Sequence, residues 1–524
     1  MTPPTFAALS MLVLTSAGAA VANATAAPAA LDDPTWSDGV AAIVHQSCAS
    51  CHRPGQVAPM SLLTYEEARP WAKSIARRVA DGTMPPWHAS GGTAEFANDR
   101  SITEQEIEAL VSWARAGAPA GDLAEAPAAP EFPSDEWQLG EPDFVVTLEQ
   151  VEVPAGGPDQ FHDLVGKAAL PEDQWVTAVE ILPGNAKVVH HVIVVGVKGF
   201  DVDPMAGWLG AWAAGTEPMV FPQGTGRLLP KGSNVIADMH YHPAETAETD
   251  VTRIGLHFAD QPPAKELTNL WVQNDGFEIP AGAESHEVRA TRKLWQSGKI
   301  MTLTPHMHYR GKDFKFVIHY PDGRQEVPLE VAQWDFNWQT FYSLAEPIDV
   351  PAGTVVEVIA HYDNSADNPA NPDSTKSVRF GDESYDEMMI GFVDFIVDEG
   401  VKPLTPFEVR TRMIAEVAKQ HPGRVWQVSA KAPEKRSEPH SWAPLHLPEQ
   451  GDGVFYLITD GQLVAAEVTD IEWTGADFTS TVALPDGGAF GLTGTVREDG
   501  TIETTLHLPN DRTMSWNGML AGAS

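Results

Sequence analysis

The chain of 524 residues holds only two cysteines, Cys48 and Cys51, and both lie in one five-residue run, C-A-S-C-H at 48–52. No disulfide framework can brace the remainder, so hydrophobic burial must hold every domain together. At roughly 100–200 residues per domain, this length calls for three or four separate cores. With 43% hydrophobic and 20% charged residues, the composition can supply them.

The opening thirty residues read as an export signal. Residues 6–21 carry no charge, and A-x-A patterns at Ala20–Ala22 and Ala24–Ala26 offer cleavage points, so 1–26 is expected to be a signal peptide. Its start lacks Lys and Arg, and a retained anchor is the alternative; the apolar stretch is short and rich in Ala and Thr for that role. A periplasmic or secreted protein is the expectation, without stable membrane insertion once the signal is cleaved. The net charge of −38 repels nucleic acid and anionic membranes, which excludes both as partners.

In that setting the cysteine run has a chemical reading. C-x-x-C followed directly by histidine is the attachment pattern of a c-type haem, with Cys48 and Cys51 bonding the vinyl groups and His52 binding iron from one face. A thioredoxin-like dithiol or half a zinc site shares the C-x-x-C spacing, but no second C-x-x-C exists to complete a zinc set. Farther on, Ile102-Thr103-Glu104-Gln105-Glu106-Ile107 predicts a helix start. Thr103 is the expected N-cap, Glu106 its capping-box partner, and Ile102 with Ile107 a hydrophobic staple. Ile107, Leu110, Val111 and Ala114 continue as one apolar stripe, and Gly117 with Pro119 ends it. Residues 35–121 thus resemble a small all-α class I cytochrome c domain. For the second axial ligand Met60, Met84 and His88 compete. Met84, in G-T-M-P-P-W and 32 residues past His52, is preferred as the distal ligand, while the Pro59 carbonyl is expected to accept from the His52 ring. The Ala/Pro/acid-rich stretch 122–137 reads as a linker.

Beyond residue 137 the periodicity turns to β. F-V-V-T-L, W-V-T-A-V-E-I-L, H-V-I-V-V-G-V and V-V-E-V-I-A-H-Y are separated by Pro, Gly, Asn and Asp turns, a pattern of antiparallel sandwiches or barrels. Histidines cluster there in pairs: His190 with His191, His240 with His242, and His306 with His308. One pair is most often structural; three on successive strand-like segments favour a transition metal. Adjacent His190 and His191 face opposite ways on a regular strand, so they meet at one metal only at a bulge, a strand end or a strong twist.

The segments V-H-H-V-I-V, D-M-H-Y-H-P, P-H-M-H-Y-R-G-K and D-E-M-M resemble, in order, the copper motifs of the type II ascorbate-dependent monooxygenases, which include dopamine β-monooxygenase and peptidylglycine α-hydroxylating monooxygenase. The resemblance covers about residues 138–410 and implies two tandem β-sandwiches, at 138–285 and 286–410. It implies an electron-transfer copper on His190, His191 and His240, and a catalytic copper on His306, His308 and Met388. His242 is then an outer or surface residue and Met389 a core neighbour. The activity implied is hydroxylation of a substrate C–H bond with O2. Electrons would come through the fused haem, from ascorbate or another reductant, or from a periplasmic donor. The non-enzymatic alternative is a periplasmic copper-binding, electron-transfer cytochrome. Peptide-hydroxylating relatives hold a substrate carboxylate with Arg, Asn and Tyr where this chain has Thr304, Ile390 and Phe392, which points to a less charged small organic substrate.

The run W-D-F-N-W-Q-T-F-Y at 334–342 reads as alternating sandwich core rather than a pocket, and His361 is expected to bind no metal. Residues 411–524 read as a small β-rich module of unknown role, in which His440 and His446 have no histidine partner.

Overall fold

The structure, a computed structural model, describes residues 33–54, 56, 58–132, 137–166, 170–198, 207–213, 216–421, 424–430, 442–459, 462–483, 488–508 and 512–520. The expected signal segment and His440 lie outside the described residues. The chain is mainly β, with several sheets and a C-terminal barrel. No described helix is long and apolar enough to cross a membrane.

Helices Val40–Ser47, Tyr65–Ala68, Ala72–Ala80 and Glu104–Arg115 enclose a core of Trp36, Val44, Leu62, Leu110 and Trp113. The last helix begins as its residues predict. The Thr103 hydroxyl accepts from the Glu106 N–H, and the Glu106 carboxylate accepts from the Thr103 N–H. Such a cap is worth about 1 kcal/mol. Ile102 and Ile107 both pack onto the helical core, and Gly117 follows at φ +87°.

The region 35–121 is nevertheless not all-α. Ala89–Gly91 leaves the helices and pairs with the strand Gln325–Val331. The rings of Trp87 and Phe96 lie 5.0 and 5.3 Å from that of Tyr342, and the Asn98 side chain donates to the Phe341 carbonyl at 2.6 Å. A short extended stretch satisfies an otherwise bare sheet edge here. Gly92 permits the approach: at φ +116°, a Cβ there would stand 2.3 Å from the Pro328 carbonyl oxygen.

The expected tandem sandwiches are also joined more tightly than two separate bodies. One sheet carries Gln160–Val165, Ser233–Tyr241, Val189–Lys198 and Trp208–Ala213 in that order. A longer one runs from Tyr342–Val350 through Gly298–His306, Ile390–Val397 and Lys265–Gln273 to Thr225–Leu229, Gln174–Leu182, Arg253–Phe258 and Phe144–Thr147. Lys265–Gln273, which the sequence boundary assigns to the first half, pairs antiparallel with Ile390–Val397 over residues 267–273 and meets Thr225–Leu229 in parallel. Two cores flank this sheet, one around Val192, Val235 and Met239, the other around Met307, Phe314 and Val358.

A helix, Pro406–Gln420, then precedes the C-terminal module. It starts inside the expected second sandwich, and its signature, T-P-F-E at 405–408, is a further capping box with proline at the first turn. Eight strands between Val425 and Leu520 close into a barrel. Trp426, Phe455, Phe478, Leu492 and Trp516 fill its interior, so it is a packed core rather than an open cup. His446 is buried on the helix-facing side of the barrel wall, where its ring stacks on that of His421 at 5.2 Å.

Candidate metal centre

The first histidine set forms where Val189–Lys198 lies against Ser233–Tyr241. His240 pairs with His191 and Tyr241 with Val189, which leaves His190 as the extra residue of a β-bulge. The bulge lets two neighbours in sequence point one way. Ring nitrogens of His190, His191 and His240 all lie within 4.8 Å of one another. The Nδ1 atoms of His190 and His191 are 3.2 Å apart, and those of His191 and His240 are 3.3 Å apart. Burial, then the neighbouring His240, lowers His190 to about 4 and puts His191 well below the ordinary histidine range. Both are therefore neutral imidazoles at neutral pH, the form that ligates metals.

Asp159 stands behind this set. It accepts from His240 Nε2–H at 2.8 Å, from His242 Nδ1–H at 2.8 Å and from the Tyr309 hydroxyl at 2.9 Å. Burial opposes its charge, but these donors hold its carboxyl well below the usual range. The His242 side chain is 66% exposed and sits outside the trio, as its expected outer role requires.

The second set lies across the junction. His306 ends the strand Gly298–His306 opposite Ile390, so two steps farther along the two chains come His308 and Met388. His306 and His308 are 5% and 3% exposed. Their rings are 5.3 Å apart. His306 Nδ1–H donates to Gln339 Oε1 at 2.6 Å, which leaves Nε2 with the lone pair. His308 Nδ1 is buried with no hydrogen-bond partner among the described residues. Burial lowers His306 to about 4, and burial with the neighbouring His306 puts His308 well below the ordinary histidine range.

A carboxylate clamps the turn between these histidines and the thioether. Glu387 accepts the backbone N–H of His308 at 2.8 Å and of Arg310 at 2.6 Å. Burial pushes its carboxyl up to about 8 against the pull of those donors. The Tyr362 hydroxyl donates to the Met388 carbonyl at 2.7 Å. Met388 packs with Trp208, Ile390 and Phe392, and Met389 is fully buried.

The two sets face each other. The His191 and His306 rings are 6.4 Å apart. Phe336 stacks on His190 at 4.7 Å and lies 4.5 Å from Tyr309 and 6.1 Å from His308. The expectation of alternating sandwich core for 334–342 holds for Tyr342, buried in the second core at the start of a strand, and for Trp334 packed against that core. Residues 332–341, however, are loop, and the loop carries buried Phe336 between the histidines. Asp159 lies in no spaced pattern, and although Phe336 and Gln339 fall in the aromatic run 334–342 and Glu387 in D-E-M-M, no sequence spacing reveals the partners they meet. His361 engages Asp313 and Glu287 instead of joining either set. A cavity of about 310 Å³, lined by Trp208, Arg227, Asn269, Trp295, Phe395 and Leu404, lies near the junction. Trp208 stacks on Phe392 at 4.8 Å, and Phe392 in turn is 6.1 Å from His306.

In the cysteine run, the His52 N–H bonds the Cys48 carbonyl at 2.9 Å, a turn that gathers both thiols and the imidazole just past the helix Val40–Ser47. His52 Nδ1–H donates to the Met60 carbonyl at 3.3 Å, not to that of Pro59 as expected, since the turn carries the chain one residue farther. That bond leaves the lone pair of the ring on Nε2. Cys48 is a free thiol, pushed up to about 12 by burial and by Cys51. Met60 packs against the helical core, Met84 follows the helix Ala72–Ala80 with its N–H on the Arg78 carbonyl, and His88 has a buried, unbonded Nδ1 near Asp335.

The donor chemistry fits copper. Three imidazoles suit either oxidation state, and two imidazoles with a thioether favour the reduced one. No family model and no curated protein matches the chain. Among solved structures it is similar to the infectious bursal disease virus VP2 subviral particle, at 9% identity over 53% of this chain and 88% of that one, with a TM-score of 0.13. It is also similar to that of the Gx strain of the same virus, at 10% identity over 55% of this chain and 89% of that one, with a TM-score of 0.15. Scores this low carry no argument about fold or function.

Proposed function

We propose that the chain is an exported copper-dependent monooxygenase that hydroxylates a C–H bond of a weakly charged small organic molecule with O2. The observation that carries this reading is the convergence of His190, His191 and His240 at a bulge, with the rings of His306 and His308 facing it and Met388 following in the strand register beside them. Copper, when bound, supplies the one-electron chemistry with which O2 is used.

The chain's own residues do the positioning. Gln339 and Asp159 fix imidazole tautomers, and Glu387 sets the His308 turn. Phe336 and the Trp208, Ile390 and Phe392 cluster keep water from the second set. Those apolar walls, with Thr304 in place of a cationic side chain, support a substrate without a carboxylate to be held. A c-type haem on Cys48, Cys51 and His52 is the proposed electron source. The docking of residues 87–98 on the second sandwich supports delivery to the copper region at high effective concentration.

Metal analysis of the full chain expressed with haem and copper tests the reading, paired with oxygen uptake across apolar and phenolic compounds. Two copper ions per haem and substrate-dependent uptake with an oxygenated product are expected. Haem iron without copper, or copper without oxygen consumption, overturns it.

A further inference from the structure

We infer that Asp159 is the positioning residue that couples the two histidine sets, orienting His240 for metal and tying the first half of the molecule to the second through Tyr309. The inference rests on the copper reading for its first part only. Asp159 immediately precedes the strand Gln160–Val165, whose Phe161 pairs with His240 and stacks on its ring at 4.4 Å. The carboxylate is thereby fixed on the far side of the imidazole from the trio.

Its three bonds have separate consequences. Oδ2 accepts His240 Nε2–H at 2.8 Å, so the lone pair of that imidazole resides on Nδ1, the atom that faces His191 Nδ1 at 3.3 Å. A carboxylate hydrogen-bonded to the remote nitrogen also makes an imidazole a stronger donor. The same oxygen accepts the Tyr309 hydroxyl at 2.9 Å, and Tyr309 directly follows His308. One oxygen atom thus touches a histidine of the first set and the sequence neighbour of a histidine of the second. Oδ1 holds His242, which is largely exposed, and that bond serves neither role.

The full haem-loaded chain is titrated with copper against a chelator, and hydrogen exchange is followed over residues 305–312, with and without copper. Asp159→Asn keeps the volume but loses the charge, and is expected to weaken one copper equivalent about 10- to 100-fold. It also speeds exchange in 305–312. Tyr309→Phe speeds that exchange as well, but leaves copper affinity within about threefold of wild type, because it removes no contact to a ligand. His242→Gln changes neither. Wild-type affinity in folded Asp159→Asn overturns the orienting role. Unchanged exchange in Tyr309→Phe overturns the tie, and does so in metal-free protein even where Asp159→Asn does not fold. A wild-type chain that takes up no copper sinks the copper reading and the orienting role together, while the exchange result on the tie stands by itself.

Discussion

The two histidine sets use the same side chain in opposite surroundings. In the first, His190 and His191 are half-buried, and a charged carboxylate lies behind His240. In the second, both imidazoles are almost wholly buried, the tautomer-fixing group is the neutral Gln339, and the buried Glu387 is spent on backbone N–H groups. An ionised group behind a ligand favours the more highly charged metal state; a dry, neutral shell with a thioether favours the less charged one. On the proposed copper reading, the surroundings rather than the ligand count distinguish the two sets.

The largest effects should fall on the metals. His191→Ala is expected to remove one of two copper equivalents while the second remains, and metal analysis of the dialysed protein reads this directly. Simultaneous loss of both would merge the sets into one site. Met388→Ala should leave the first equivalent bound and abolish oxygen-dependent product formation; retained turnover breaks the division of labour. Next comes the clamp. Glu387→Ala orphans two buried N–H groups, and denaturant unfolding should show a loss of about 3–5 kcal/mol. Phe336→Ala should cost about 2–3 kcal/mol, below the full core value because a loop can partly close the gap.

The smallest effect is a control at a group that belongs to neither set. Burial raises the Glu266 carboxyl above its usual range, with Lys402 opposing. The folded state then holds that proton more tightly than the unfolded one, so stability falls as pH rises above about 4. Glu266→Gln should therefore stabilise the protein at pH 7 by at most about 1 kcal/mol, the carboxyl being only partly shielded, and the gain should vanish below about pH 4 in thermal melts.

What could be read from the chain alone was whatever repeats, alternates or caps. The Thr103 capping box, the β character beyond residue 137 and the histidine pairs all have a fixed spacing in sequence, and strand geometry required a bulge, a strand end or a strong twist at His190 and His191, of which the fold uses the bulge. The partners of those histidines have no spacing. Asp159 sits in a G-G-P-D-Q turn 81 residues before His240, and Glu387 lies 79 residues beyond the amide of His308 that it receives. Phe336 looked like strand core because its neighbours alternate, yet tertiary packing made that stretch a loop. The strand at Ala89–Gly91 escaped for a related reason: three residues have no periodicity, and only a vacant sheet edge 240 residues away gives them a place.

The shared sheet has a mechanical consequence. Lys265–Gln273 is bolted to Ile390–Val397 across seven consecutive residue pairs and to Thr225–Leu229 on its other side. Strands in such a ladder stand about 4.8 Å apart and resist shear. The halves therefore cannot gape like a clam around a swivelling linker. The spacing between the histidine sets is thereby fixed by the shared ladder, and the stretch 332–341 that brings Phe336 between them is held by packing rather than by strand pairing.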